Sequence, residues 1–211
     1  MPSGSPIDRD GEDIGEHLRQ AAHGDEQAWR AIVRMYHARV FGLIRSQCGD
    51  PDLAEEITQS VFCTIVTKIG SYTEQGKFES WLFRIATNRL RDEMRRRKRQ
   101  ARPVEMDTLG ALANEASKEE RLMGRGGAGR AVDHPEEGAS DRELGALRDA
   151  MSKLSEADQM IVHLRHLAGL KFNQMAEVLG EPMGTVLARH HRALKKLKEL
   201  MEQGGVRDGE E

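Results

Sequence analysis

Two helical stretches of this 211-residue chain carry side chains whose type and spacing suit recognition of a polyanion. After Thr185, which is placed to cap a helix, come Arg189, His190, Arg192 and Lys196 at steps of one, two and four, projecting from its exposed side. A guanidinium can donate two hydrogen bonds to guanine and an ammonium can meet a phosphate, so this face suits the major groove of duplex DNA. In the other stretch, Trp81, Arg84, Asn88, Arg91 and Arg95 recur at alternating steps of three and four. Together they offer what unpaired bases and their backbone need: an aromatic plane, an amide and positive charge. Each set also has a plainer reading. The first could be an ordinary helical hairpin with a solvated basic face. In the second, Trp81 could sit in the core beside an Arg tract that is only solvated charge.

Other chemistries find little support. His163 with His166, or His190 with His191, lacks a third ligand at matching spacing, so no metal is expected. Glu55 and Glu56 are adjacent and point to different sides of a helix, a poor catalytic carboxylate pair. No nucleophile stands beside a base, and neither an enzyme nor a cofactor is expected. Gly124, Gly126 and Gly129 form Gly-x-Gly-x-x-Gly, but no strand precedes them and no amphipathic helix follows, which argues against dinucleotide binding. Cys48 and Cys63 lie in apolar helical patterns without Cys-x-x-Cys spacing, which suits a reducing cytoplasm. No apolar run approaches the roughly 20 residues that cross a bilayer, so no membrane insertion is expected.

The elements that must hold the two faces are helices. Strand formers are scarce, and eight of the nine aromatics lie between Trp29 and Phe83. The net charge of -3 hides a strong segregation, with nine basic residues against two acids from Arg84 to Arg102, and five against none from Arg189 to Lys198. A short helix is expected around Ile14 to His23. A longer one from Asp25 to about Cys48 carries Trp29, Ile32, Val33, Tyr36, Val40, Leu43 and Ile44 on a buried face. Asp50-Pro51 starts a third helix, to about Ile69, which buries Ile57, Val61, Ile65 and Ile69. After a loop from Gly70 to Gly76, a fourth runs from Lys77 to about Gln100 with Leu82, Ile85, Ala86 and Leu90 as its core stripe.

Periodicity then weakens and glycine rises, so residues 102–140 read as a flexible linker. Beyond it Leu144, Leu147, Met151 and Leu154 mark one helix. Ser155 and Asp158 start another as a capping box, burying Ile161, Leu164 and Leu167. Phe172 to Val186 then reads as a helix-turn-helix: Ala176 is small where helices cross, Gly180 suits a left-handed turn, and Val186 plugs the second helix into the first. The expected fold is all-α: an N-terminal helical bundle (13–101) and a C-terminal helix-turn-helix domain (141–203) joined by the linker.

Ala54-Glu-Glu-Ile-Thr-Gln-Ser-Val-Phe62, followed by Phe78-x-x-Trp81-Leu-x-x-Ile85-Ala-x-Asn88-x-x-x-Asp92, resembles the polymerase-binding and promoter-melting region of extracytoplasmic-function sigma factors. Gly184-Thr-Val leading to Arg189, Ala193 and Leu197 resembles that family's recognition helix. The resemblance implies a subunit that directs RNA polymerase to promoters. It further implies core polymerase as partner at Glu56, Gln59 and Phe62, and opened minus-ten DNA at the loop 71–77 and at Trp81, Arg84, Asn88, Arg91 and Arg95. Duplex minus-thirty-five DNA would meet Thr185, Arg189, His190, Arg192 and Lys196. An anti-sigma factor is a common companion in the family. The chain also departs from the pattern. Many members have Asp at the position of Glu56, the usual Glu-Ile-Ala is Gln174-Met-Ala here, and the common Lys-Ser-Arg is Leu187-Ala-Arg, so promoter sequence does not transfer. The competing readings are a stand-alone helix-turn-helix regulator, which would bind DNA without polymerase, and a recombinase or nuclease, which would need a clustered acid or nucleophilic site.

Overall fold

Two aspartates decide where the first long helices begin. The carboxylate of Asp25 accepts from the backbone amides of Gln27 and Ala28, and that of Asp50 from those of Asp52 and Leu53, which satisfies donors a helix start leaves open. The computed structural model describes residues 8–73, 75–100 and 141–207. In order these form α1 (Asp8–Ala22), α2 (Glu26–Cys48), α3 (Pro51–Lys68), a single 3₁₀ turn (Ile69–Ser71) and α4 (Phe78–Gln100). There follow α5 (Asp141–Ser152), α6 (Glu156–His166), α7 (Phe172–Leu179) and α8 (Met183–Arg207). No strand occurs among the described residues.

The N-terminal unit closes over Ile32, Val40, Leu43, Ile44, Val61, Ile65, Leu82 and Phe83, each fully shielded from water. Burying a side chain of this size contributes about 1.5 to 3 kcal/mol. Ile14 and Leu18 extend this core from α1, which begins earlier than the sequence pattern suggests. In the C-terminal unit Ser155 caps α6, accepting from the Asp158 amide at 3.2 Å and donating to the Asp158 carboxylate at 2.7 Å. Gly180 ends α7 at φ +68°, a left-handed conformation that frees the chain to turn into α8, where Val186 is completely buried.

Leu167, expected to be buried, is 45% exposed, and of the residues that mark the first helix of this unit Leu144 is 40% and Leu147 36% exposed. Ala150 and Leu154 seal α5 onto Leu197 of α8 instead, while Ala168 and Leu170, just past α6, take the buried positions. Helical spacing defines a stripe, but only a covering element makes it a core. The two units also share one continuous buried cluster, from Ile14 in α1 through Leu82 in α4 to Met175 and Val186 in the helix-turn-helix. The expected linker, with its glycine motif, lies outside the described residues.

Candidate nucleic-acid interface

On α4 the apolar stripe is Phe78, Leu82, Phe83, Ala86 and Leu90, with Ile85 only half-buried. This leaves Asn88, Arg91 and Arg95 fully outward. Arg91 donates to the Asn88 side-chain oxygen at 3.2 Å, so amide and guanidinium form one paired surface. Trp81 is half-buried rather than free. Its ring stacks on Tyr72 of the preceding loop, centroids 4.7 Å apart and planes at 23°, and tilts against Phe78. One side of the Trp81 ring is thus packed, while Trp81 and Tyr72 each keep part of their surface open to solvent. Arg84, although exposed, is already engaged: two of its nitrogens donate to the Glu177 carbonyl oxygen. Farther along, Glu93 pairs with Arg96 at 2.8 Å and with Arg97, and the Arg96 hydrogen bond holds its carboxyl below the usual carboxylate range.

The second face is less uniform. The start of α8 at Met183 places Thr185 inside the first turn, where its amide bonds to the Pro182 carbonyl, so Thr185 is not the cap. Arg192 and Lys196 are outward. Arg189 is half-buried in an ion pair with Glu181 at 2.9 Å. His190, expected to read DNA, is turned inward and is 8% exposed. Its ring stacks on His166, Nε2 to Nε2 at 3.3 Å, and meets the edge of Phe172 at a centroid distance of 5.3 Å. Burial, with help from His166, Arg165 and His191, pushes the His190 pKa down and favours a neutral ring. The reason is the helix repeat: position 190 follows Val186 by four and precedes Ala193 and Leu197 on the buried stripe. Two residues that the sequence left unassigned share the outer side of α8, Met183 at 55% and Leu187 at 48% exposed.

On α3, Glu56 and Gln59 are exposed, with Gln59 donating to Glu55 at 3.0 Å. Phe62 is not beside them at the surface. It is 7% exposed and packs between the edge of Trp29 and the face of His37. Among the described residues no group of three or more His, Cys, Asp or Glu could hold a metal, and no helix is long and apolar enough to cross a membrane.

Arg91 and Arg95 of α4 and Arg189 of α8 line the same cleft, about 810 Å³, floored by Leu90, Met160 and Leu179. Two basic helical surfaces on an all-helical frame, one belonging to a helix-turn-helix, are the arrangement of a DNA-binding protein. Residues 32–100 match the family Sigma-70 region 2, and residues 144–197 match Sigma-70, region 4, which together take in more than half of the chain. The chain is 30% identical over 184 residues to the ECF RNA polymerase sigma factor SigE of Mycolicibacterium smegmatis, an overlap of 85% of this chain and 65% of that one. It is 27% identical over 189 residues to the ECF RNA polymerase sigma factor SigW of Bacillus subtilis, covering 89% of this chain and 96% of SigW. The sigma factor RpoE, solved in complex with the anti-sigma factor NepR from Bartonella quintana, shares the fold. Its TM-score is 0.58 at 21% identity, over 82% of this chain and 96% of RpoE. The chain belongs to the extracytoplasmic-function subfamily of RNA polymerase sigma factors, and it directs RNA polymerase to promoters. A stand-alone regulator is not favoured by this membership.

Proposed function

We propose that this sigma factor divides promoter recognition between α4, which captures the opened minus-ten strand, and the outer side of α8, which meets the minus-thirty-five element as duplex. The observation that carries this division is the outward set Asn88, Arg91 and Arg95 on the same helix that carries Trp81, whose ring stacks on Tyr72. Unpaired bases stack on aromatic planes at a gain of about 1 to 3 kcal/mol each, and guanidinium groups hold the backbone between them. Extruding a base costs a few kcal/mol, which such capture offsets. Arg84 joins this surface once it leaves Glu177.

On α8, Arg192 and Lys196 hold phosphates, Thr185 lies at the entry to the groove, and Arg189 reads a base after parting from Glu181. Leu187 stands where the family pattern has Lys and offers apolar contact suited to a thymine methyl group, which makes the preferred promoter this chain's own. His190 supports the helix from within. Glu56 and Gln59 dock on the core polymerase, and Phe62 shapes that surface from beneath. The chain supplies binding surfaces and no catalytic group of its own, and it works in the cytoplasm beside the polymerase. RpoE is held by the anti-sigma factor NepR, and a partner of that kind suits the cleft between the two units here.

The test is transcription from a genomic fragment library by core polymerase with and without this chain. Starts that cluster behind one shared pair of elements are expected only when the chain is present. Start sites unchanged by its addition would refute the reading.

A further inference from the structure

Both substitutions by which α8 departs from the family pattern fall within its first two turns, and both remove polar groups: Leu187 stands in place of Lys and Ala188 in place of Ser. The core does not absorb them. Leu187 is 48% exposed, Ala188 is outward, and Met183, one turn earlier, is at 55% the most exposed large apolar side chain among the described residues. Single apolar residues at a surface are ordinary, but a methionine, a leucine and an alanine methyl adjoining on one helix make a patch.

Helical register separates this patch from the hydrogen-bonding side chains. Val186, His190, Ala193 and Leu197 form the buried line of α8. With about 3.6 residues to a turn, Met183 and Leu187 fall to one side of that line, whereas Thr185, Arg189, Arg192 and Lys196 fall to the other. Arg189 is held on its side by the ion pair with Glu181 at 2.9 Å. Outward between the two sides, in these first turns, are only Gly184 and Ala188, so no bulky side chain there keeps the helix from the floor of a groove.

The chemistry of the major groove narrows what such a patch can meet. Each base edge offers hydrogen-bond donors or acceptors, and the thymine C5 methyl is the one apolar group on display. An apolar side chain aimed there gains by burying that methyl, and without it desolvates a polar edge at a cost. Four residues of helix rise about 6 Å, against about 3.4 Å for each step along a strand, so Met183 and Leu187 span about two steps.

We infer that Met183 and Leu187, with Ala188 beside them, read the C5 methyl groups of two pyrimidines about two steps apart or less in the minus-thirty-five element, while Arg189 reads from the other side of α8. The inference rests on the proposed placement of α8 in the upstream duplex. What is read is the methyl and not the base. A 5-methylcytosine paired with guanine presents the same group, so cytosine methylation at those positions strengthens a weak promoter.

The experiment is competition binding of upstream duplex variants by holoenzyme, assembled from core polymerase and the full chain, on a promoter recovered from the genomic fragment library. Replacing each upstream thymine in turn by deoxyuridine removes one methyl group. At two positions this should weaken binding about fourfold, as expected for one buried methyl, and elsewhere it should change nothing. Leu187→Ala should bind thymine and deoxyuridine equally at one of these positions and Met183→Ala at the other, while Arg189→Ala keeps both differences. Met183 and Leu187 are outward, so their replacement tests reading and not folding. Leu187→Lys, which restores the family residue, should lose the methyl dependence and make binding more sensitive to salt. At the position read by Leu187, 5-methylcytosine opposite guanine should bind about fourfold more tightly than cytosine. An element without thymine, or deoxyuridine penalties that persist in Leu187→Ala and Met183→Ala, would overturn the inference. So would the absence of any deoxyuridine effect. If Arg189→Ala still alters base preference in that case, the placement of α8 stands and the methyl reading alone falls; if it does not, both fall.

Discussion

α4 and α8 are similar in length, 23 and 25 residues, and both are rich in Arg and Lys, yet they dispose of that charge in different ways. α4 buries a broad stripe of Phe78, Leu82, Phe83, Ala86 and Leu90, and everything beyond Glu93 is outward. α8 shields Val186, His190, Ala193 and Leu197, so its basic residues fall on both sides of the buried line. A count of positive residues therefore identifies a nucleic-acid-binding helix without saying which of its cations reach the nucleic acid. That depends on register against the core.

The largest effect should come from the anchor of α4. Phe83→Ala empties a fully buried position and should lower stability by about 3 to 5 kcal/mol in thermal unfolding. Leu194→Ala, at 37% exposure on α8, should change it by less than about 0.5 kcal/mol. Equal losses would mean that the two helices are anchored alike. Next comes base reading. Arg189→Ala should weaken discrimination at one upstream base pair by about 1 to 3 kcal/mol in competition binding by holoenzyme. His190→Ala should leave base preference unchanged and lower the melting temperature instead. A shifted preference from His190→Ala would return that ring to the reading face.

A smaller effect is expected at Asn88. Replacing it with Ala should slow strand opening by the equivalent of about 1 kcal/mol, read by permanganate reactivity of the minus-ten thymines, while duplex binding is kept. Equal loss in both assays would remove Asn88 from the melting surface. The smallest effect concerns pH. Burial holds the pKa values of His163 and His190 below normal, so the folded chain resists the protons that the unfolded chain takes up near pH 6.5. Stability should be complete above that pH and fall as acid is added below it. His190→Gln should flatten this dependence in part, and an unaltered slope would show that the inward ring does not titrate in this range.

Much of the frame was legible in the sequence because it rests on local chemistry. Asp25, Asp50 and Ser155 cap helices with their own side chains, and the turn at Gly180 follows from one residue's conformational freedom. The stripe of Ile57, Val61, Ile65 and Ile69 is likewise buried as its spacing suggests. What the sequence misplaced depends on partners far along the chain. Leu144, Leu147 and Leu167 have helical spacing, but among the described residues no element covers them. His190 falls on the buried line one turn after Val186, and what fills that line against it, His166 and Phe172, comes from elsewhere in the chain. Arg39 meets a carbonyl 129 positions away, and no local pattern announces it. Phe62 is aligned with Glu56 and Gln59 by its spacing, yet Trp29 and His37 enclose it. Of the candidate site, the outward Asn88, Arg91, Arg95, Arg192 and Lys196 follow from helical periodicity alone.

The most direct measurement is equilibrium binding of a forked promoter fragment, duplex upstream and unpaired at the minus-ten element, by fluorescence anisotropy with and without core polymerase. Tight, sequence-dependent binding should appear only with both proteins present, because the proposed division of recognition needs the polymerase to hold the two surfaces at the spacing of the two elements. Equally tight binding by the chain alone would contradict the account.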